Sequence, residues 1–325
     1  MSRSRPTPAM AAILDRLAVE DVGLPDPTTV PAGQGRIQAA SSNVRWNRDL
    51  PEMADVSDVS VSTKGAPVPC RKLVPQGSPV GTILFIHGGG WAFCDMDSHE
   101  RAARLLAIEC QANVVMCDYR LSPEHAFPAG LNDCIAVWGQ LTAGEGAFAE
   151  LKGPFAISGD SAGANLAMAV MLTPELVQPD FGLLFYGVYD ADFASPSYLE
   201  WADGPGLTRG KMKRYWDWYA PEHQRADPRL APVRASDAAL RALPPLYLNA
   251  AEIDPLRSDS ERLYARLTAL GRADQFRLHG GVVHGFMQMS LELEEARLAL
   301  ADAGAAFKAF VQQAARSSNN WEREQ

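Results

Sequence analysis

The sequence predicts an α/β fold: a mostly parallel, eight-stranded sheet flanked by helices, with a helical cap. Three observations carry that expectation. Two early strand-like runs are followed by alternating strand-like and helix-like runs, the pattern of a mixed sheet that becomes parallel. Two glycine-rich turns, His87-Gly88-Gly89-Gly90 and Gly159-Asp160-Ser161-Ala162-Gly163, stand at the ends of apolar strand-like runs. One stretch, residues 188–243, breaks the alternation and holds no obvious strand.

Taken in order, residues 8–20 place Met10, Ile13, Leu14 and Leu17 at helical spacing, and a Pro/Gly-rich stretch follows over 23–35. This reads as an N-terminal cap segment, residues 1–50, partly covering the core. Strand-like runs then fall at 55–62, 68–74, 81–86, 113–117, 153–157, 181–186, 246–249 and 275–278. Helix-like runs fall at 98–109, 126–141, 162–172, 255–270 and 289–313. The core is therefore expected over 51–187 and 244–325, with 188–243 inserted as a helical cap. The insertion is rich in aromatics, among them Tyr189, Tyr198, Tyr215, Trp216 and Tyr219. Thr208 is its clearest helix N-cap, because a threonine hydroxyl can accept one of the unpaired N–H groups of the first turn.

A chain of 325 residues can bury a large core, and its 47% apolar and 21% charged residues are ordinary for a globular protein. A net charge of −9 argues against binding nucleic acid or an anionic membrane surface. No apolar run approaches the ~18 residues of a membrane span. The basic start Ser2, Arg3, Ser4, Arg5 and Pro6 is not expected to open a signal peptide, because Asp15 and Arg16 interrupt the apolar run behind it. The five cysteines are odd in number and form no CxxC pair, so reduced thiols and a cytoplasmic location are expected. No ligand cluster with zinc-like spacing occurs, and neither a metal nor a cofactor is expected.

The chemistry lies in the two turns. Ser161 sits between a strand-like and a helix-like run, flanked by glycines that let backbone crowd a sharp turn and push the hydroxyl outward. Around these turns the chain resembles a bacterial esterase of the hormone-sensitive-lipase family, within the α/β-hydrolase fold. The matching segments are His87-Gly88-Gly89-Gly90-Trp91, Tyr119-Arg120-Leu121-Ser122-Pro123-Glu124-His125-Ala126-Phe127-Pro128-Ala129, Gly159-Asp160-Ser161-Ala162-Gly163, Asp254-Pro255-Leu256-Arg257-Ser258-Asp259 and His284-Gly285-Phe286. They are collinear over roughly residues 50–312, and the family more often has alanine where Ser122 stands.

A serine needs a general base, and the base needs an orienting acid; in this fold they follow in the order serine, acid, histidine. Of six histidines only His279 and His284 lie after every candidate acid, and His284 is preferred because it sits in a loop before the last helix. Glu252, Asp254 and Asp259 follow the preceding strand. The resemblance places the acid at Asp254, which could otherwise simply cap a helix at Pro255; Glu252 is the alternative, and Asp259 is expected to face outward. Backbone N–H groups of Gly89, Gly90 and Ala162 are the expected oxyanion donors. His87 is expected to hold the glycine loop and Asp160 to be structural, while Cys94 is a thiol near that loop. Together these imply a serine carboxylesterase acting on small, short-chain acyl esters through an acyl-enzyme. An amidase or deacetylase of the same fold, or a binding protein that has lost catalysis, are the alternatives. The resemblance also implies a homodimer paired through the last strand and helix.

Overall fold

The computed structural model describes residues 4–63 and 65–323, so Ser2 and Arg3 of the basic start lie outside the described residues. Eight strands form one sheet: β1 (Asp55–Val61), β2 (Val68–Val74), β3 (Thr82–Ile86), β4 (Asn113–Cys117), β5 (Phe155–Asp160), β6 (Phe181–Phe185), β7 (Leu246–Ile253) and β8 (Gln275–Val283). Their order across the sheet is β1-β2-β4-β3-β5-β6-β7-β8. The β1–β2 and β2–β4 pairs are antiparallel, and every pair beyond them is parallel. The parallel strands β3, β5 and β6 carry short apolar runs and are almost wholly buried, as strands covered on both faces must be. The α/β expectation holds, with β2 alone running against the other strands near one edge.

The helices are α1 (Pro8–Glu20), α2 (Ala32–Asn43), α3 (Met96–Cys110), α4 (Ala129–Ala143), α5 (Ala162–Met171), α6 (Pro196–Glu200), α7 (Arg209–Tyr219), α8 (Asp237–Ala242), α9 (Arg257–Ala269) and α10 (Glu294–Arg323). α3 and α10 cover one face through Leu106, Ala107, Ala303 and Phe307. α4, α5 and α9 cover the other through Trp138, Leu166 and Leu263. Among the described residues no helix is long and apolar enough to cross a membrane.

Among the strands, the largest departures lie in β7 and β8. β7 continues four residues past the expected end at Asn249, and β8 five past Leu278. A register shift between Ala251 and Ile253 accommodates this extension. The added residues include Ala250, Ala251, Gly280 and Gly281, which have low strand propensity and acquire strand form only through pairing. His279 consequently lies inside β8, and His284 is the first residue beyond it. The last helix begins at Glu294 rather than Met289, behind a single 3-10 turn, Phe286–Met289.

Residues 188–243 contribute α6, α7 and α8 with short 3-10 turns between them. Thr208 caps α7 as expected, its hydroxyl accepting from the Lys211 N–H at 3.1 Å. Trp216 and Tyr219 of α7 are buried against Trp91 at the end of the glycine loop; Trp91 stacks on Tyr219 at 4.2 Å and meets Trp216 edge-on at 4.9 Å. Offset and edge-on aromatic contacts of this kind add about 0.5–1.5 kcal/mol per pair to area burial. They fix the inserted helix directly over the loop.

Asp259 does not face outward. It is fully buried at the start of α9, and one carboxylate oxygen accepts the N–H groups of Tyr189 and Asp190, both at 2.9 Å. Asp190 lies beside it, paired with Arg234 at 2.7 Å and Arg262 at 3.0 Å. The helix packs beneath the chain leaving β6, so the turn that looked exposed on a helical wheel is covered. Burial pushes the Asp259 carboxyl up to about 8, despite those two backbone bonds. A carboxyl held above its unfolded value (~4) binds a proton more tightly when folded. That stability is complete below pH ~4 and is lost progressively as pH rises to about 8. Asp259→Asn keeps an acceptor for both N–H groups and removes the titration. Its stability relative to wild type is expected to rise with pH by up to ~1.4 kcal/mol per unit between pH ~5 and ~8. Urea midpoints across that range measure it, and parallel wild-type and variant curves would refute the buried, proton-binding carboxyl.

Candidate active site

Ser161 is the hinge between β5 and α5, and its backbone is held at φ 54° and ψ −118°, where side-chain-bearing residues are rare. The strain is held by what surrounds the turn. A Cβ on Gly163 would lie 2.0 Å from the Ile86 carbonyl oxygen, so only glycine lets α5 approach β3 this closely. The Ser161 N–H donates to the Phe185 carbonyl at 2.9 Å, tying the turn to the next strand. The serine is 7% exposed rather than projecting into open solvent, because the inserted helix and the N-terminal segment close over it.

The two distant candidates converge on it. His284 Nε2 lies 2.9 Å from Ser161 Oγ, and His284 Nδ1 lies 2.7 Å from Asp254 Oδ2. Asp254 is fully buried, and its other oxygen accepts the Leu256 N–H at 2.8 Å. The aspartate therefore turns the chain into α9 and faces the imidazole with the oxygen left over. A carboxylate at Nδ1 demands a proton there, which leaves Nε2 as the acceptor of the serine hydroxyl. Tyr186 packs edge-on to the imidazole at 5.0 Å and limits its rotation. Glu252 is turned elsewhere, accepting from the Gly281 N–H at 2.7 Å and from the Ser4 hydroxyl at 2.8 Å.

The glycine loop is anchored beside the serine. The Gly88 N–H donates to Asp160 Oδ1 at 2.8 Å, and the Tyr119 hydroxyl donates to the His87 carbonyl at 2.9 Å. The His87 ring stacks on Tyr119 at 4.4 Å, and burial lowers its pKa to about 4, so it stays neutral at the loop's base. Asp160 is fully buried, which by itself raises a carboxyl; His99 and the Gly88 N–H outweigh burial and hold it below its usual range. Gly89 and Gly90 adopt φ 105° and 60° and border the pocket above Ser161. A Cβ at Gly90 would lie 2.5 Å from the Tyr215 ring, so α7 rests directly on the loop. Burial pushes the Cys94 thiol up to about 12, which makes it a poor nucleophile.

The pocket at Ser161 is a cavity of about 160 Å³. Leu207, Met212 and Tyr215 form an apolar wall, and Asn43, His99 and Gln288 a polar one. A larger groove of about 970 Å³ runs along α4 past Arg120 and Asp133, and shares no lining residue with Ser161. The motifs marked none of the six wall residues individually. Tyr215 was one aromatic among several in the insertion, and Asn43 belongs to a segment with no motif at all. Among the described residues no group of three or more His, Cys, Asp or Glu is placed to hold a metal ion.

The sequence matches the α/β-hydrolase fold family over residues 83–288. It is 34% identical over 299 residues to carboxylesterase NlhH of Mycobacterium tuberculosis, covering 87% of this chain and 92% of that protein. Among solved structures, an ester hydrolase from the metagenome of Lake Arreo superposes with a TM-score of 0.88 at 29% identity, over 94% of this chain and 98% of that one. A thermostable esterase from Pseudomonas putida superposes with a TM-score of 0.88 at 27% identity, over 96% and 99%. The chain belongs to the α/β-hydrolase family, in the hormone-sensitive-lipase-like group of carboxylic ester hydrolases that its motifs indicated.

Proposed function

We propose that this protein is a serine carboxylesterase that cleaves small, short-chain acyl esters, with Ser161 as nucleophile, His284 as base and Asp254 as the acid that orients it. One observation carries the reading: an unbroken hydrogen-bonded row from Ser161 Oγ through both nitrogens of His284 to a buried carboxylate. In the first step His284 Nε2 takes the serine proton while Oγ attacks the ester carbonyl, and the carbonyl π electrons move to oxygen. The N–H groups of Gly89, Gly90 and Ala162 receive that oxyanion, and Ala162 adds the N-terminal dipole of α5. The imidazolium, stabilised by Asp254, returns its proton to the departing alcohol, leaving the acyl group on Ser161. Water attacks the acyl-enzyme by the same route and restores the serine. The stretch 188–243 serves as the cap and residues 1–50 as an N-terminal cap segment, a division supported by the pocket residues each contributes. The modest volume around Ser161 supports a short acyl chain.

A matched pair of substrates tests the reaction class. The protein is expected to hydrolyse 4-nitrophenyl acetate and to be labelled covalently by a serine-directed phosphonate, with the anilide of the same acid cleaved far more slowly. An amide cleaved as fast as its ester would shift the assignment to an amidase. Failure of both turnover and labelling would leave a binding protein of the same fold.

A further inference from the structure

The polar groups around Ser161 are nearly all engaged. Asp160 accepts from Gly88, and His99 lies between Ser98 and Asp160. His284 is bonded at both nitrogens, and Asn43 donates to the Ala39 carbonyl. Gln288 stands apart. Among the described residues lining the pocket, it is the one whose buried side chain has neither its Nε2 nor its Oε1 in a hydrogen bond.

Gln288 is only 8% exposed, and its backbone is pinned. It sits in the 3-10 turn that follows His284, its N–H donating to the Gly285 carbonyl at 3.1 Å. Phe286, Met287 and Met289 on either side of it are buried, and Phe286 packs against Tyr186 and His279. A buried polar group without a partner destabilises the fold. A methionine of similar length, as at the positions on both sides, would fill the space without that cost. The cost is offset when a ligand supplies the missing partner. An unengaged amide also gives up no bond when it turns toward one.

We propose that the Gln288 amide is a substrate-recognition group, and that the preferred esters carry a hydroxyl or carbonyl close to the ester group rather than a bare alkyl chain. A carboxamide offers donors and an acceptor side by side, so a single hydroxyl can donate to Oε1 and accept from Nε2. Leu207, Met212 and Tyr215, which line the same pocket, take the apolar side of the same fragment. This inference rests on the esterase reading. It adds a substrate class: small, two-faced esters of hydroxy acids, keto acids or polyols.

Two isosteric pairs test it, each exchanging one methyl for one hydroxyl. On the acyl side they are 4-nitrophenyl 3-methylbutyrate and 4-nitrophenyl 3-hydroxybutyrate. On the alcohol side they are isobutyl acetate and 2-hydroxypropyl acetate. Wild type is expected to favour the hydroxylated member of at least one pair by ~10-fold or more in kcat/KM. The pair in which the preference appears tells whether the acyl or the alcohol portion meets Gln288. In Gln288→Leu and Gln288→Met the ratio should fall to about 1 or below, with thermal unfolding used to confirm that each variant is folded. A wild type without the preference in either pair, or a preference unchanged in the folded variants, overturns the role of Gln288 and leaves the esterase reading intact. No wild-type turnover of any of the four esters overturns both.

Discussion

Ser161→Ala is expected to lower the hydrolysis of 4-nitrophenyl acetate by ~10⁴-fold or more, equivalent to about 5.5 kcal/mol of barrier. On the proposed mechanism the loss belongs in kcat, because the hydroxyl removed would be the atom that bonds to the substrate and not one that merely holds it. The fold should survive. Ser161 keeps its place through the backbone bond to Phe185 and through the close approach of α5 to β3 at Gly163, and neither uses the hydroxyl. Alanine at φ 54° is strained no more than serine is. Steady-state kinetics alongside a thermal melt separate the two effects. A folded variant with more than about a hundredth of wild-type activity would end the assignment of Ser161.

Asp254→Asn should cost nearly as much, on the order of 10⁴-fold in kcat, for a different reason. The residue has two obligations, accepting from the Leu256 N–H at 2.8 Å and from His284 Nδ1 at 2.7 Å. An asparagine that keeps its carbonyl oxygen on Leu256 presents its NH₂ to the imidazole. Nδ1 then becomes an acceptor, the ring proton moves to Nε2, and the nitrogen proposed to take the serine proton already carries one. Geometry is preserved while the tautomer is wrong. Structure, stability and phosphonate labelling separate this from unfolding: the variant should melt as a folded protein and label slowly. Activity within tenfold of wild type would show that the carboxylate does not set the tautomer.

How much of this was legible beforehand depends on whether a feature is local in the chain. The turn around Ser161 is marked within five residues, because close approach of other backbone leaves no room for a Cβ at Gly159 or Gly163. The burial of β3, β5 and β6 on both faces follows from short, largely apolar runs alternating with helices. The ends of β7 and β8 were misplaced because Ala250, Ala251, Gly280 and Gly281 have no strand preference of their own. Asp259 was misjudged because helical spacing says which residues share a face, and not what packs against that face.

By itself, then, the sequence determined the class of fold and marked the two glycine-rich turns, one presenting Ser161 and one beside it, since each is written in a few consecutive residues. Which histidine and which carboxylate actually meet the serine was decided by the ends of β7 and β8, where pairing across the sheet carries Asp254 and His284 to one edge. Tertiary packing alone decided the walls of the pocket. Asn43, Tyr215 and Gln288 come from three separate stretches of chain, and their proximity arises only when the inserted helix packs into the core on one face of the sheet and the N-terminal segment into the core on the other.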